Sequence, residues 1–427
     1  MTTFTQVSPE LRRSRVAILA HFFILGAATA TWAARLPAIK ATLHMSDYHL
    51  GLALFAVPAG SVVTLVASGK ITDRFGAVRV LRVAGLCLPV SLVAVGIGPA
   101  LNSLPGWIAA LVCYGALAGL LDVSMNACGA RLELAYRRPI LSSLHAGYSI
   151  AGLAGAGIGG IFALLAIGPL LTFVAAAVLL AVLALVAGRL VVLAPAADGT
   201  HGARRTALLT GKQIAIIIWI LGLLGLCGQL GEGAAGDWSA VYIRGLGSSA
   251  AVAAVGLAAF SVTMAAGRMV GDRLAARFGS VALVRASGLI AGLGLAGGLL
   301  IHSSVAAIAG FALLGAGQAG IFPQLVSSAA RLDPEHAGRN IGRIAAVSYM
   351  GLLCGPVVIG AVAAGVGLRN ALLIPAALSL LVAAVAGVLS PHGRGGPGGR
   401  FPPVEDRRDS VSPEEQEDSR EGMRNRG

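Results

Sequence analysis

Charged residues are scarce in this chain of 427 residues. Asp, Glu, Lys and Arg together make up 12% of it, against roughly 25% in an average soluble domain. Hydrophobic residues make up 56% of the chain, and its mean hydropathy is +0.82. This shortage of charge excludes an ordinary soluble globular protein and indicates an integral membrane protein.

Cysteine pairs and catalytic motifs are missing as well. The five cysteines all lie in apolar runs without CxxC spacing, so we expect neither disulfides nor a zinc site. No GxxxxGK[ST] loop is present, which disfavours a nucleotide-driven primary pump. An HExxH motif, a nucleophile elbow and paired metal ligands are absent too, so we expect no enzyme activity, cofactor or metal. A membrane enzyme is kept as an alternative class.

Apolar runs of about 20 residues recur along the whole chain, and a helix of that length crosses about 30 Å of hydrocarbon. Pro105, Pro139 and Pro169 each open a run, where the missing N–H costs nothing because it would be unpaired anyway. We predict an all-α integral membrane protein with twelve transmembrane helices. The predicted spans are 15–36, 47–69, 78–98, 105–130, 139–165, 169–193, 212–232, 249–271, 280–301, 304–330, 340–365 and 369–389.

The formal net charge of +13 raises the question of nucleic-acid binding. With the N-terminus inside the cell, only four of the 32 Lys and Arg residues fall on the outer side: Arg35, Lys40, Arg244 and Arg369. This is the positive-inside rule for a chain with both termini in the cytoplasm, so we expect no nucleic-acid partner. The spans that follow disfavour a cleaved signal peptide at the first run. Arginine outnumbers lysine 29 to 3, which favours a GC-rich bacterial source and its inner (plasma) membrane.

The chain has two similar halves. GKITDRFG at 69–76 recurs as GRMVGDRLAARFG at 267–279, and Asp73 and Asp272 are 199 residues apart. Internal repeats are a common plan of secondary transporters. We therefore predict a cytoplasmic N-terminus (1–14), an N-terminal six-helix bundle (15–193), a cytoplasmic linker (194–211), a C-terminal six-helix bundle (212–389) and a disordered cytoplasmic tail (390–427).

The segment GKITDRFGAVR resembles the motif that members of the major facilitator superfamily carry between their second and third helices, although Ala77 and Val78 replace two basic residues of the family pattern. The resemblance implies the major facilitator fold, with two pseudo-symmetric six-helix bundles. It also implies an inner gate in which Asp73 sits against a helix N-terminus or an inner arginine; a stop-transfer charge cluster is the alternative. The predicted gate residues are Gly69, Asp73, Arg74, Gly76, Arg79, Gly267, Arg268, Asp272, Arg273 and Gly279.

Within that superfamily, GLLDVSMNACG at 119–129 is similar to the fucose permease group, whose members carry an acid and a following Asn at these positions. IFPQ at 321–324 also resembles that group. The group has an acid in its first helix as well, whereas the first span here offers His21, Thr29 and Thr31 but no carboxylate. We therefore do not carry the group's substrate over to this chain.

Asp122 lies deep in the predicted fourth span. Counting 1.5 Å per residue, it is about 26 Å from Pro105 and about 14 Å from Arg131, and an acid at that depth is a functional candidate by default. It shares a stripe of small and polar residues that should face the bundle interior. Burial disfavours the charged carboxylate, so we predict that Asp122 takes up and releases a proton.

His145 is the predicted partner of Asp122 in proton coupling. It lies about 9 Å from the inner end of the fifth span, and two adjacent antiparallel helices can bring it near Asp122. A hydrogen-bonded Asp and His pair that only stabilises packing is the alternative for both residues.

The second half has no acid at the position of Asp122, because the repeat offset leads to residues 321–323. We therefore expect the first half to carry the proton and the second half to contribute most to solute binding. Interior polar groups that merely satisfy one another are the alternative. The predicted substrate cavity residues are Asn126, Tyr148, Ser149, Gln229, Gln318, Gln324 and Tyr349.

The seventh span ends in GEGAAGDW, whose three glycines predict a broken helix lining a cavity. Arg35 and Glu232 both lie about 30 Å from the inner ends of their spans. We predict an outer gate in which Arg35 pairs with Glu232 or Asp237, beside Trp32 and Trp238. An interfacial aromatic belt with hydrated charges is the alternative.

These features predict a monomeric secondary active transporter whose partners are a small-molecule solute, protons and the lipid bilayer. The solute is small and polar, a sugar being one candidate, and moves by proton-coupled alternating access. Proton antiport of drugs or amphiphiles is the alternative within transport, and a sensor that binds solute without moving it is a further one.

Overall fold

The computed structural model describes residues 7–192 and 209–390. The predicted tail, apart from Ser390, and the predicted linker, apart from residues 209–211, lie outside this described part. Within it, all regular secondary structure is helical, and 12 helices are long and apolar enough to cross a membrane, as predicted. They are α1 (Pro9–Ala33), α2 (His49–Phe75), α3 (Ala77–Ala100), α4 (Leu104–Tyr136), α5 (Leu141–Leu164), α6 (Pro169–Leu190), α7 (Gly211–Gly245), α8 (Ala251–Phe278), α9 (Ser280–Leu300), α10 (Ser304–Leu332), α11 (Ala337–Val366) and α12 (Leu368–Leu389).

Polar caps start some helices before the apolar runs begin. The Ser8 hydroxyl accepts a hydrogen bond from the Leu11 backbone N–H at 3.3 Å, with Pro9 in the first turn. At the start of α7, Thr210 and Gln213 form a reciprocal capping box, which satisfies backbone groups that a helix end leaves unpaired. The predicted start of the first span at residue 15 therefore marks only its apolar part.

Three of the membrane-spanning helices are interrupted, and each interruption lies just before a proline. Proline has no N–H to donate to the carbonyl four residues earlier, and its ring collides with that carbonyl. The helical segments end at Leu54 before Pro58 in α2, at Gln318 before Pro323 in α10 and at Ala371 before Pro375 in α12.

The predicted break at GEGAAGDW is wrong, because α7 is one continuous helix. Glycine costs a helix only about 1 kcal/mol relative to alanine. Two of these glycines pack closely on neighbouring helices: a Cβ on Gly233 would meet Leu352 of α11 at 3.3 Å, and one on Gly231 would collide with Gln318 of α10. Close packing therefore keeps α7 helical where its local sequence favours a break.

The two halves pack their helices in the same order. α1 packs on α5 as α7 packs on α11, and α2 packs on α4 as α8 packs on α10. A Cβ on Gly26 of α1 would collide with the backbone of Tyr148 in α5, and one on Gly351 of α11 with that of Leu226 in α7. Small residues at such crossings allow the close approach on which helix packing in membranes depends.

The halves meet where α2 packs on α11 and where α5 packs on α8. We call the end of the bundle with the α2–α3, α4–α5, α8–α9 and α10–α11 connections the basic end, because the arginine-rich loops lie there, and the opposite end the neutral end. Near the basic end, a Cβ on Gly69 of α2 would lie 2.5 Å from the Cα of Arg339 in α11. The halves are thus in close contact at the basic end.

Candidate functional site

A cavity of about 610 Å³ lies between the two halves. It extends from the middle of the bundle towards the neutral end and contains no residue of the connections at the basic end. Its lining combines apolar walls with aromatic, polar and charged groups. The residues are Leu25, Thr29, Gly51, Leu54, Phe55, Val57, Pro58, Ser61, Tyr114, Ala118, Gly119, Asp122, Met125, His145, Tyr148, Gln229, Glu232, Asp237, Arg268, Phe322, Tyr349, Leu352, Leu353 and Pro356.

Asp122 lines this cavity and is 6% exposed. The side-chain amide of Asn126, one turn later on α4, donates to the Asp122 carboxylate Oδ1 at 3.2 Å and to its backbone carbonyl at 2.9 Å. The other carboxylate oxygen, Oδ2, has no hydrogen-bond partner among the described residues. A carboxyl group in this setting has an oxygen on which it can hold a proton.

His145 does not bond to Asp122 directly, because Asn126 lies between them. Its Nε2 and the Asn126 side-chain oxygen are 3.0 Å apart. Since the Asn126 amide nitrogen donates to Asp122, its oxygen accepts a hydrogen bond from the Nε2–H of His145. The imidazole sits edge-on to Phe22 and Phe322, with ring centroids 4.9 and 5.7 Å away. Asp122, Asn126 and His145 thus form one hydrogen-bonded line.

Arg268 is a cavity residue that the sequence reasoning placed elsewhere, in the inner gate. Its Nη1 donates to the Ser149 hydroxyl of α5 at 2.8 Å, and its Nη2 lies 3.9 Å from Glu232 Oε2. The repeat gave no indication of this position, because the offset of 199 from Asp73 to Asp272 aligns Arg268 with Gly69. At Gly69 the two backbones touch, whereas the long side chain of Arg268 reaches into the cavity.

Five of the seven predicted substrate residues lie in or beside the cavity. Tyr148, Gln229 and Tyr349 line it. Asn126 and Ser149 do not line the cavity but are hydrogen-bonded to residues that do. Asn126 donates to Asp122, and Ser149 accepts from Arg268.

Gln318 and Gln324 do not line the cavity. The Gln324 side-chain oxygen accepts from the Ser280 hydroxyl at 2.7 Å, at the start of α9. Gln318 packs beside Gly231 of α7, and its Nε2 has no hydrogen-bond partner in the described part of the chain. The break in α10 separates the two glutamines and could not be placed from helical periodicity.

Arg35 forms neither of its two predicted ion pairs, with Glu232 or with Asp237, in the described part of the chain. Arg35 is buried and donates to the backbone carbonyls of Gly159 and Ile167 in its own half. Ile167 lies in the short connection between α5 and α6, so its carbonyl is not taken up by a helix ladder and is available to the guanidinium. Glu232 instead faces Arg268 inside the cavity.

The two tryptophans of the predicted outer gate each pack within their own half. Trp32 sits edge-on to Tyr114, with ring centroids 6.0 Å apart. Trp238 lies against Gly360 of α11. Asp237 lines the cavity and is exposed. With the gate residues in these positions, the neutral end of the cavity is open.

Comparisons with known proteins agree with this architecture. The sequence model described as Major Facilitator Superfamily matches residues 221–417. An uncharacterized MFS-type transporter of Yersinia pestis is 33% identical over 370 residues, which cover 86% of this chain and 93% of that protein. The chain belongs to the major facilitator superfamily. It is therefore a multi-pass membrane protein and a secondary transporter of small solutes, with a role in transport rather than catalysis.

Three further proteins are similar over more than nine tenths of their own length. Membrane protein MosC of Rhizobium meliloti is 31% identical over 391 residues, 91% of this chain and 93% of MosC. The crystal structure of FucP in the outward conformation gives a TM-score of 0.74 at 17% identity, covering 88% of this chain and 98% of FucP. The structure of XylE, a proton:xylose symporter, gives 0.64 at 14% identity, covering 88% and 94%. The predicted family and fold are thus confirmed.

The superfamily motif holds the halves together at the basic end. The two carboxylate oxygens of Asp272 on α8 accept hydrogen bonds from the backbone N–H groups of Ser142 and Ser143, at 2.8 and 3.0 Å. These N–H groups belong to the first turn of α5, where the helix dipole favours negative charge. Asp272 therefore occupies the kind of position that the resemblance implied for Asp73.

Asp73 makes the related contact in the other half. It lies against the first turn of α11, where a Cβ on Gly338 would be 3.0 Å from its Oδ1, and it interacts electrostatically with Arg339. Gly76 and Gly279, with φ of 85° and 82°, end α2 and α8 in a conformation that favours glycine.

The remaining gate residues lie apart from the interface contacts. Arg74, Arg79 and Arg273 are exposed. Gly267 packs on Ala319 of α10 within its own half. Fewer than ten of the predicted gate residues therefore take part in the contacts between the two halves.

Glu133 is a further contact between the halves that the sequence reasoning missed. It is 2% exposed near the end of α4. Its Oε2 accepts from the backbone N–H groups of Ile140 and Leu141 at 2.9 and 3.1 Å, at the start of α5. Its Oε1 accepts from Ser327 at 2.6 Å and from Arg331 at 3.4 Å, both on α10. A lone acid at the end of a span gave no indication of this bridge.

Proposed function

We propose that this protein is a proton-coupled secondary active transporter that imports a small polar solute by alternating access, with Asp122 holding the coupling proton. One observation carries the proposal: Asp122 is a buried cavity carboxyl group with one oxygen that has no partner among the described residues. Carrying an ionised carboxylate through the membrane interior is costly unless it is paired or protonated. Proton uptake removes that cost and favours closure of the cavity.

The open cavity and the closed basic end correspond to one state of such a cycle. We place the basic end in the cytoplasm of a bacterium, with both termini on that side, because arginine-rich loops remain inside. The state is then outward-facing. Solute and proton enter from the neutral end, and the contacts of Asp73, Asp272 and Glu133 separate when the cavity turns inward.

Sugars are the first solutes to test. Tyr148, Gln229 and Tyr349 line the cavity and supply hydrogen-bonding groups beside aromatic faces. Two structural neighbours are described as a fucose:proton symporter and a proton:xylose symporter. That naming supports the choice of L-fucose and D-xylose as probes.

The test uses the purified full chain in proteoliposomes. With an imposed inward proton gradient, wild type should accumulate a probe sugar. Asp122→Asn should lose accumulation yet retain exchange of labelled for unlabelled sugar, because a neutral amide mimics the protonated acid without releasing a proton. Glu335→Gln, which changes an exposed carboxyl group, is the control and should behave as wild type.

Accumulation by Asp122→Asn with the proton dependence of wild type would remove Asp122 from the mechanism. Drug or amphiphile efflux is the second candidate, because Leu25, Leu352 and Leu353 give the cavity an apolar wall. In that case cationic dyes, rather than sugars, should be exchanged for protons in the same vesicles, with dye leaving as protons enter.

A further inference from the structure

Arg268 is the one arginine or lysine among the described residues that line the cavity. Its side chain is only 9% exposed. Nη1 is satisfied by Ser149, but Nε has no acceptor within the described ranges. The nearest carboxylate, that of Glu232, is 3.9 Å from Nη2, which is beyond hydrogen-bond distance. The cation is thus buried with its donors only partly satisfied.

A guanidinium group in this position is suited to a planar anion. Its Nε–H and one Nη2–H form a rigid two-donor edge that matches the two oxygens of a carboxylate. A buried charge without full compensation is costly in free energy. A carboxylate that completes the hydrogen bonds of Arg268 therefore binds more tightly here than it would at a hydrated surface.

We propose that Arg268 binds a carboxylate of the transported solute, so that the substrate class is hydroxylated carboxylic acids such as sugar acids. This inference rests on the proposed function and narrows it. Tyr148, Tyr349 and Gln229 line the same cavity and face the hydroxyl groups of the solute.

Three acids, Asp122, Glu232 and Asp237, line the cavity with Arg268. It is the deeper burial of the arginine relative to Glu232 and Asp237 that favours an anion over an amine. Glu232 has a side chain 31% exposed, and Asp237 is exposed on the same helix. Both acids are therefore more hydrated than Arg268. Releasing Glu232 from a contact of 3.9 Å is inexpensive, because partly exposed ion pairs contribute little.

Binding is tested by thermal shift on the purified full chain at constant ionic strength. Sodium D-gluconate and D-glucuronate are compared with sorbitol and D-glucose, which lack the carboxylate, with D-glucosamine hydrochloride, and with sodium chloride. We expect a larger rise in Tm with the two carboxylates than with sorbitol, D-glucose, D-glucosamine or sodium chloride. Arg268→Gln should raise their apparent Kd by about tenfold or more, since it removes charged hydrogen bonds. Arg244→Gln, an exposed arginine at the neutral end, should leave the Kd unchanged.

Arg268→Lys separates a role in folding from a role in recognition. It keeps the positive charge but lacks the two-donor edge, so it should fold and still bind the carboxylates at least about tenfold more weakly. No shift with either carboxylate, an equal shift with sorbitol or glucosamine, or wild-type affinity in both Arg268 variants would overturn the inference. Proton-driven uptake of neutral sugars alone would also overturn the inference but would leave the proposal of proton-coupled transport intact. Absence of any proton-driven uptake would refute the proposal of proton-coupled transport itself.

Discussion

Asn126 links Asp122 and His145, two of the titratable groups of the cavity, in one hydrogen-bonded line, and its removal tests that line. Asn126→Ala leaves Asp122 Oδ1 and His145 Nε2 without their present partner. An unsatisfied buried group costs about 1–3 kcal/mol, so we expect a lower Tm and slower proton-driven uptake, measured by thermal shift and in proteoliposomes. Asn370→Ala removes one exposed hydrogen bond, to Val366, and is the control. Equal Tm values for the two variants would contradict the role given to Asn126.

The positions of some single residues relative to the cavity could be predicted from the sequence, and those of others could not. The depth of Asp122 follows from a fixed rise per residue, and its burial is confirmed. Arg268 was misplaced because a long side chain reaches about a helical turn from its Cα. Whether it points to the loop or to the cavity depends on how close α5 and α8 approach, which no single helix specifies.

At the scale of the helices, glycines mark the crossings on which each half depends. Gly351 and Gly365 both lie on α11, but only Gly351 faces a backbone, that of Leu226, whereas a Cβ on Gly365 meets nothing within 4 Å. Gly351→Ala should destabilise the protein by about 1–3 kcal/mol through overpacking. Gly365→Ala should be neutral or stabilising by up to about 1 kcal/mol, since alanine favours the helix. Thermal shift in detergent compares the two, and similar losses would refute the crossing geometry.

Helix number was predictable from hydropathy because each span must be long and apolar to cross the bilayer. The interruptions were not predicted. They lie before Pro58, Pro323 and Pro375, where the proline ring displaces a carbonyl four residues earlier, but Pro89 and Pro356 lie inside continuous helices. A proline therefore marks a candidate break, and packing decides whether the helix is interrupted there. Glycine only permits a break, and packing of α7 on its neighbours decides against it.

At the scale of the whole molecule, the two halves are bridged at the basic end and separated by the cavity towards the neutral end. Glu133 joins α4 and the start of α5 to Ser327 and Arg331 of α10. If these bridges favour the present state, weakening one should shift the protein towards the state with a closed neutral end. Ligands and mutations act on such equilibria only through contacts that differ between the states.

Glu133→Gln is the sharpest test, because it removes the charge that Arg331 faces while keeping the side-chain shape. A hydrogen bond to a charged group contributes about 1.5–3 kcal/mol, so the ratio of the two states should change by about tenfold or more. Spin labels at Leu101 and Ile301, which are 73% and 69% exposed at the neutral end, report the change by electron–electron double resonance in a cysteine-free background. We expect a new population at shorter distance in Glu133→Gln and none in Glu10→Gln, an exposed acid on α1. An unchanged distance distribution would limit Glu133 to capping α5, because the bridge to α10 would then contribute nothing to the balance between the two states.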